Sequence, residues 1–127
     1  MYLALAILMF TAISCGSPEP VEPTPTPDVP LFAEGEAEAL VEAIVFAKYS
    51  ASGGASTSCE SLVQATWGFI FGTTTASYLG QQVWSVVQDT RIIDSATTTL
   101  EWKVFEFSGV VQGTSEEAER AMMCSGR

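Results

Sequence analysis

The groups able to do covalent or acid–base chemistry are three cysteines (Cys15, Cys59 and Cys124), scattered hydroxyls and fifteen Asp and Glu carboxylates. The chain has no histidine. Nucleophile systems of the Ser-His-Asp or Cys-His type therefore lack their base, and histidine-based zinc or copper sites lack their ligand. No GxxxxGK[ST], GxGxxG, HExxH or D-x-D-x-D-G motif occurs. A carboxylate pair can act as general acid and base. Glu101 and Glu106 are the candidates, although both fall where a solvated strand face is expected. Ser56, Ser58 and Glu60, beside a glycine-rich loop, form a second candidate group. The expectation is no catalytic residue, no metal site and no cofactor.

Cys15 stands apart because of what surrounds it. It follows an apolar run over residues 2–13, with Ser14 before it and Gly16-Ser17 after it. An export signal needs an apolar segment of about 7–15 residues ending in small residues. A membrane-spanning helix needs about 20, so the run is short for a permanent span. Ile13, Ser14 and Cys15 resemble the lipobox of a bacterial lipoprotein precursor, with Ala12 where Leu is usual and no Lys or Arg before the run. The resemblance implies a signal peptide over 1–14 and a lipidated Cys15. It also implies a protein of the bacterial cell envelope, held to the membrane by its lipid and facing the extracytoplasmic side. An ordinary cleaved signal, or an uncleaved anchor, beside a chance cysteine is the alternative.

Acylation of Cys15 would leave Cys59 and Cys124 as an even pair in an oxidising compartment, where a disulfide is expected. Their bridge would close most of the folded region, a loop worth about 4 kcal/mol by chain entropy. Two buried free thiols are the alternative.

Residues 15–30 form the next unit, the cysteine and a tether that holds all six prolines of the chain. Such dense proline favours an extended polyproline-II spacer, and Glu19, Glu22 and Asp28 are expected to keep it solvated. At about 3.1 Å per residue it would reach roughly 45 Å.

Residues 31–127 suffice for one small domain. The spacing of Ala37, Leu40, Val41 and Ile44 predicts a helix over 36–49. A small-residue loop follows, then a short helix from Cys59 to about Ala65 with Ser58 as its cap. Beyond it, Phe69-Ile70-Phe71 and Thr73 to Tyr78 read as strand, with Gly68 and Gly72 as turn glycines. A further strand covers 82–87, and the clearest covers 97–107, with Leu100, Trp102 and Val104 on one face and Glu101 and Lys103 on the other. Phe105 and Phe107 break the alternation, which suggests a partly covered second face. Thr114 and Glu117 have the spacing of a capping box for a final helix over 115–124. The predicted fold is α+β: a two-layer sandwich with the N-terminal helix packed on a three- to four-stranded antiparallel sheet and a short C-terminal helix. A lone amphipathic helix before QVWSVV and LEWKVFEFSGVV resembles PepSY-type or cystatin-like small export domains. That resemblance implies a binding or regulatory module and brings no catalytic residue with it.

Net charge is −10. Nucleic-acid binding is disfavoured, because phosphate neutralisation needs a basic surface. Direct docking on anionic lipid is disfavoured too, so membrane contact would come through the lipid anchor. Trp67, Trp84 and Trp102 are candidate interaction aromatics, with core packing as the other use for them. The functional expectation is an envelope lipoprotein carrying a non-catalytic module for an envelope protein or peptide. An envelope enzyme using carboxylate or hydroxyl chemistry, or a structural spacer lipoprotein, is the alternative.

Overall fold

Among the described residues, helical spacing and strand alternation give three helices and four strands. The computed structural model describes residues 16, 18, 20, 21, 23, 27–54, 59–90 and 97–124. Cys15 and the apolar run before it lie outside the described residues, as do Ser56 and Ser58. Among the described residues no helix is long and apolar enough to cross a membrane.

Helix α1 spans Glu34–Ala51. Ala33 offers no side-chain acceptor at its start, so the Glu36 carboxylate reaches back and accepts the Ala33 N–H at 2.7 Å. Acidic residues in the first turn and Lys48 in the last complement the helix dipole. Ala37, Val41 and Val45, four residues apart, are fully buried.

Helix α2 spans Glu60–Phe71, which corrects the strand expected at Phe69-Ile70-Phe71. Aromatic and β-branched residues favour strands only weakly. Here burial of Leu62, Ala65 and Thr66 at helical spacing carries the helix six residues further than expected. Gly68 is accordingly a helical glycine and not a turn. A Cβ on it would collide with the side-chain amide of Gln88, which is fully buried and donates from Nε2 to the Ala65 carbonyl at 2.5 Å.

Strands β1 (Thr73–Gly80), β2 (Val83–Thr90), β3 (Thr98–Phe105) and β4 (Val110–Gly113) form one antiparallel sheet in the order β1-β2-β3-β4. The registers Val86↔Trp102 and Trp102↔Gly113 put Trp102 at its centre. Helix α3, Glu116–Met123, is capped by Ser115, whose Oγ accepts the Ala118 N–H. The cap thus falls one residue after Thr114, whose own N–H donates to the Glu101 carbonyl.

The fold is α+β, with the helices gathered on one face of the sheet. Helix α1 packs mainly on β1, α2 on β2, and α3 on β4 and β3. Between the layers lie Val41, Val45, Leu62, Trp84, Leu100 and Trp102. The opposite face carries the exposed Glu101 and Lys103. Phe107 is exposed in the β3–β4 turn, beyond the strand's end, whereas Phe105, the last residue of β3, is half-buried on the outer face.

Candidate functional site

Among the described residues, the most elaborate polar arrangement joins the end of the proline-rich segment to the hairpin tips of the sheet. Alternation along β3 continues one residue past the strand, so Glu106 follows Leu100, Trp102 and Val104 onto the helix face. Its N–H extends the ladder to the Gln82 carbonyl at 3.0 Å, and the residue is only 6% exposed. The carboxylate accepts the Trp84 Nε1–H at 2.6 Å, the Phe32 N–H at 2.9 Å and the Leu31 N–H at 3.0 Å. A second carboxylate, Asp28, works in the reverse direction, from the proline-rich segment to the sheet. It accepts the Tyr78 hydroxyl at 2.5 Å and the Gln81 N–H at 2.7 Å. Gln82 adds a bond from Nε2 to the Val29 carbonyl at 3.1 Å. The Tyr78 ring packs against Trp84 with centroids 5.3 Å apart, so the two carboxylate sites share one aromatic pair. Gln81 and Gln82, at φ 55° and 63°, lie in the left-handed region of the β1–β2 turn, which aims the Gln81 N–H at Asp28.

Burial by itself would raise the Glu106 pKa. The N–H donors of Phe32, Trp84 and Leu31 outweigh it and hold the carboxyl below the usual range. Asp28 is lowered by the Tyr78 hydroxyl and the Gln81 N–H. Tyr78 is raised, by burial first and then by its bond to Asp28. A general acid near neutral pH needs a raised carboxyl pKa. Both carboxylates shift the other way, and each accepts N–H or O–H donors from residues distant in sequence. The site is a clasp. Because the folded-state pKa of Glu106 is depressed, its contribution is present above the unfolded value of about 4.3 and is lost as pH falls through the folded value. Glu106→Gln is therefore expected to lower Tm by at least about 5 °C at pH 7 and to flatten the acid limb of the Tm–pH curve. Melting curves between about pH 3 and pH 7 check this, and an unchanged acid limb would show that the Glu106 carboxylate does not hold Leu31 and Phe32 in place.

The other residues expected to act are dispersed. Glu101 is exposed on the open face, and Glu60 bonds Gln64 at the start of α2. Cys59 and Cys124 form a disulfide with Cα atoms 6.1 Å apart. Trp84 and Trp102 belong to the core. Trp67 alone of the three reaches the surface, at 38% exposure, edge-on to Phe71 with ring centroids 5.8 Å apart. Ile70 (54%) and Phe71 (62%) complete an apolar patch on the last turns of α2. The patch and the clasp lie at opposite ends of the sheet. Gly72, directly after the patch, abuts Asp89 of β2, whereas Asp28 meets the β1–β2 turn at the far end of those strands, about 25 Å away by strand length.

The clasp was missed in the sequence because Asp28 reads as tether and Glu106 as solvated strand. One signal was available, the parity that Glu106 shares with Leu100, Trp102 and Val104. The pairing with residues some seventy-five positions away has no local signature. Comparison with protein-family models, curated proteins and solved structures finds no match.

Proposed function

We propose that this protein is an envelope lipoprotein in which Cys15 carries the lipid and the small α+β domain is a non-catalytic binding or regulatory module. The observation that supports this most is the polarity of the domain. Residues 28–32, where the proline-rich segment meets the domain, are held at one end of the sheet through Asp28 and Glu106, and the Trp67–Ile70–Phe71 patch lies at the other. A module anchored through residues 15–30 would then point its aromatic patch away from the membrane, toward a partner. Tryptophan and neighbouring apolar residues are common anchors of such contacts. The disulfide suits an oxidising compartment, and it uses two of the three cysteines in the sequence, so that Cys15 is the odd one.

Intact mass of the protein purified from bacterial membranes tests the anchor. The expected species begins at Cys15, carries a diacylglycerol adduct and gains two hydrogens on reduction. Cys15→Ala is expected to remain unprocessed or to leave the membrane fraction. An unmodified mass, with membrane partition unchanged in Cys15→Ala, would overturn the reading.

A further inference from the structure

The β1–β2 and β3–β4 turns lie at the same end of the sheet. The registers Gly80↔Val83, Val83↔Phe105 and Phe105↔Val110 align the residues beside them in one row across the four strands. Their neighbours Trp84, Val104 and Val111 are buried against the helices, so Val83, Phe105 and Val110 stand on the open face. Leu79 continues the row on β1, and Phe107 extends past it in the β3–β4 turn. Leu79, Val110 and Phe107 are exposed, Phe107 by 82%. Val29 and Leu31, exposed as well, are brought to the same end by the Gln82 and Glu106 side chains. An apolar cluster of this kind marks contact with a protein or a membrane.

The course of the chain selects the membrane. Asp28 is fastened to the Tyr78 hydroxyl and the Gln81 N–H, so the chain leading back to Cys15 leaves the domain at this end. Between Cys15 and Asp28 it reaches at most about 45 Å. A lipid on Cys15 keeps the apolar row within that distance of the bilayer. There the effective concentration is high, and a contact too weak for free molecules is populated. The charges agree with this placement. Lys103 is on the open face about 7 Å of strand behind Phe105, and Glu101 and Asp89 lie further from the tips. Its stem can lie along apolar surface with the ammonium at headgroup level. Glu106 is buried, and Asp28 is engaged by its donors. Glu34 and Glu36 open α1 just after Phe32, near the same end, so a zwitterionic surface fits better than an anionic one. A net charge of −10 on each chain opposes pairing of two copies there.

We infer that the hairpin tips dock on the zwitterionic bilayer that holds the protein's own anchor, with Leu79, Phe107 and Val110 entering the interface. Side chains in such contacts reach about 5–10 Å into the boundary between headgroups and acyl chains. The domain stands on its tips, and the Trp67–Ile70–Phe71 patch faces outward. The inference rests on the reading of the protein as a lipoprotein and adds the surface that orients its domain.

The test uses the full chain, isotope-labelled and anchored in phosphatidylcholine nanodiscs that contain a spin-labelled lipid. The anchor is the adduct on Cys15 or, where the mass shows none, a phospholipid coupled through maleimide to the Cys15 thiol. The spin label is expected to abolish the amide signals of Leu79, Phe107 and Val110 and to leave those of Ile70 and Phe71. The double variant Leu79→Ser/Phe107→Ser alters only exposed side chains. It is expected to keep the melting curve of the wild type and to recover the lost signals. Survival of all signals, equal loss at both ends, or loss led by Ile70 and Phe71 would overturn the docking. Undiminished loss in the double variant would overturn it too. Loss at the tips without spin label, growing with the number of chains per disc, would replace the bilayer by a second copy. The coupled lipid supplies an anchor in either case, so failure at the tips and failure of lipidation at Cys15 are read separately.

Discussion

Loss of the Cys59–Cys124 bridge is expected to lower the stability of the domain by about 4 kcal/mol, the chain-entropy value for a closed loop of this span. The two cysteines are 65 residues apart, so the bridge ties the start of α2 to the end of α3 and encloses the whole sheet. Breaking it frees the unfolded chain far more than it disturbs the folded one. A domain of this size has a net stability of about 5–15 kcal/mol, and the loss corresponds to a fall in Tm of roughly 20 °C. Cys59→Ser and Cys124→Ser are expected to match each other and the reduced wild type, because each removes the same loop constraint. Thermal melts with and without reductant check the prediction. Coincident melts would mean that the bridge contributes nothing in solution.

Trp102→Ala is expected to cost about 3–5 kcal/mol, the range for deleting a large aromatic from a packed core. Trp102 is the largest fully buried side chain. It lies opposite Val86 on β2 and opposite Gly113 on β4, where a Cβ would run into the backbone of α3 at Ala118. β4 and α3 therefore meet through their backbones there, and the space left by the indole cannot close easily. Trp102→Phe is expected to behave quite differently, losing less than about 2 kcal/mol. The indole Nε1–H has no acceptor among the described residues. A buried donor without a partner costs about 1–3 kcal/mol, so removing it offsets much of the lost volume. Urea unfolding of the two variants separates the terms. Equal losses would show that the indole N–H is satisfied in solution and that shape alone decides the cost.

Much of the architecture was legible from local pattern. Leu100, Trp102 and Val104 against Glu101 and Lys103 marked β3 and its inward face, and Ala37 and Val41 marked the buried stripe of α1. These signals survive because each records a single boundary, apolar layer against water, that the residues meet through their own periodicity. The patterns failed where two boundaries overlapped. Phe69-Ile70-Phe71 has strand-like composition, yet Phe69 packs against the core while Ile70 and Phe71 face solvent, a division only the α2 geometry imposes. Thr114 satisfied the capping pattern, but it continues the pairing of β4 with Glu101 of β3, and the helix starts one residue later with Ser115 as its cap.

By itself the sequence determined the α+β class, the segment order and the cysteine arithmetic, because composition, periodicity and parity are properties of neighbours along the chain. Tertiary structure alone decided that Asp28 and Glu106 meet the hairpin tips, that Gly68 makes room for Gln88, and that the backbone of β4 at Gly113 lies against α3. Each depends on the distance between residues far apart in sequence, and on which hydrogen-bonding groups remain unpaired once the strands have aligned. No local run of residues encodes either quantity; both are set only when the helices settle on one face of the sheet.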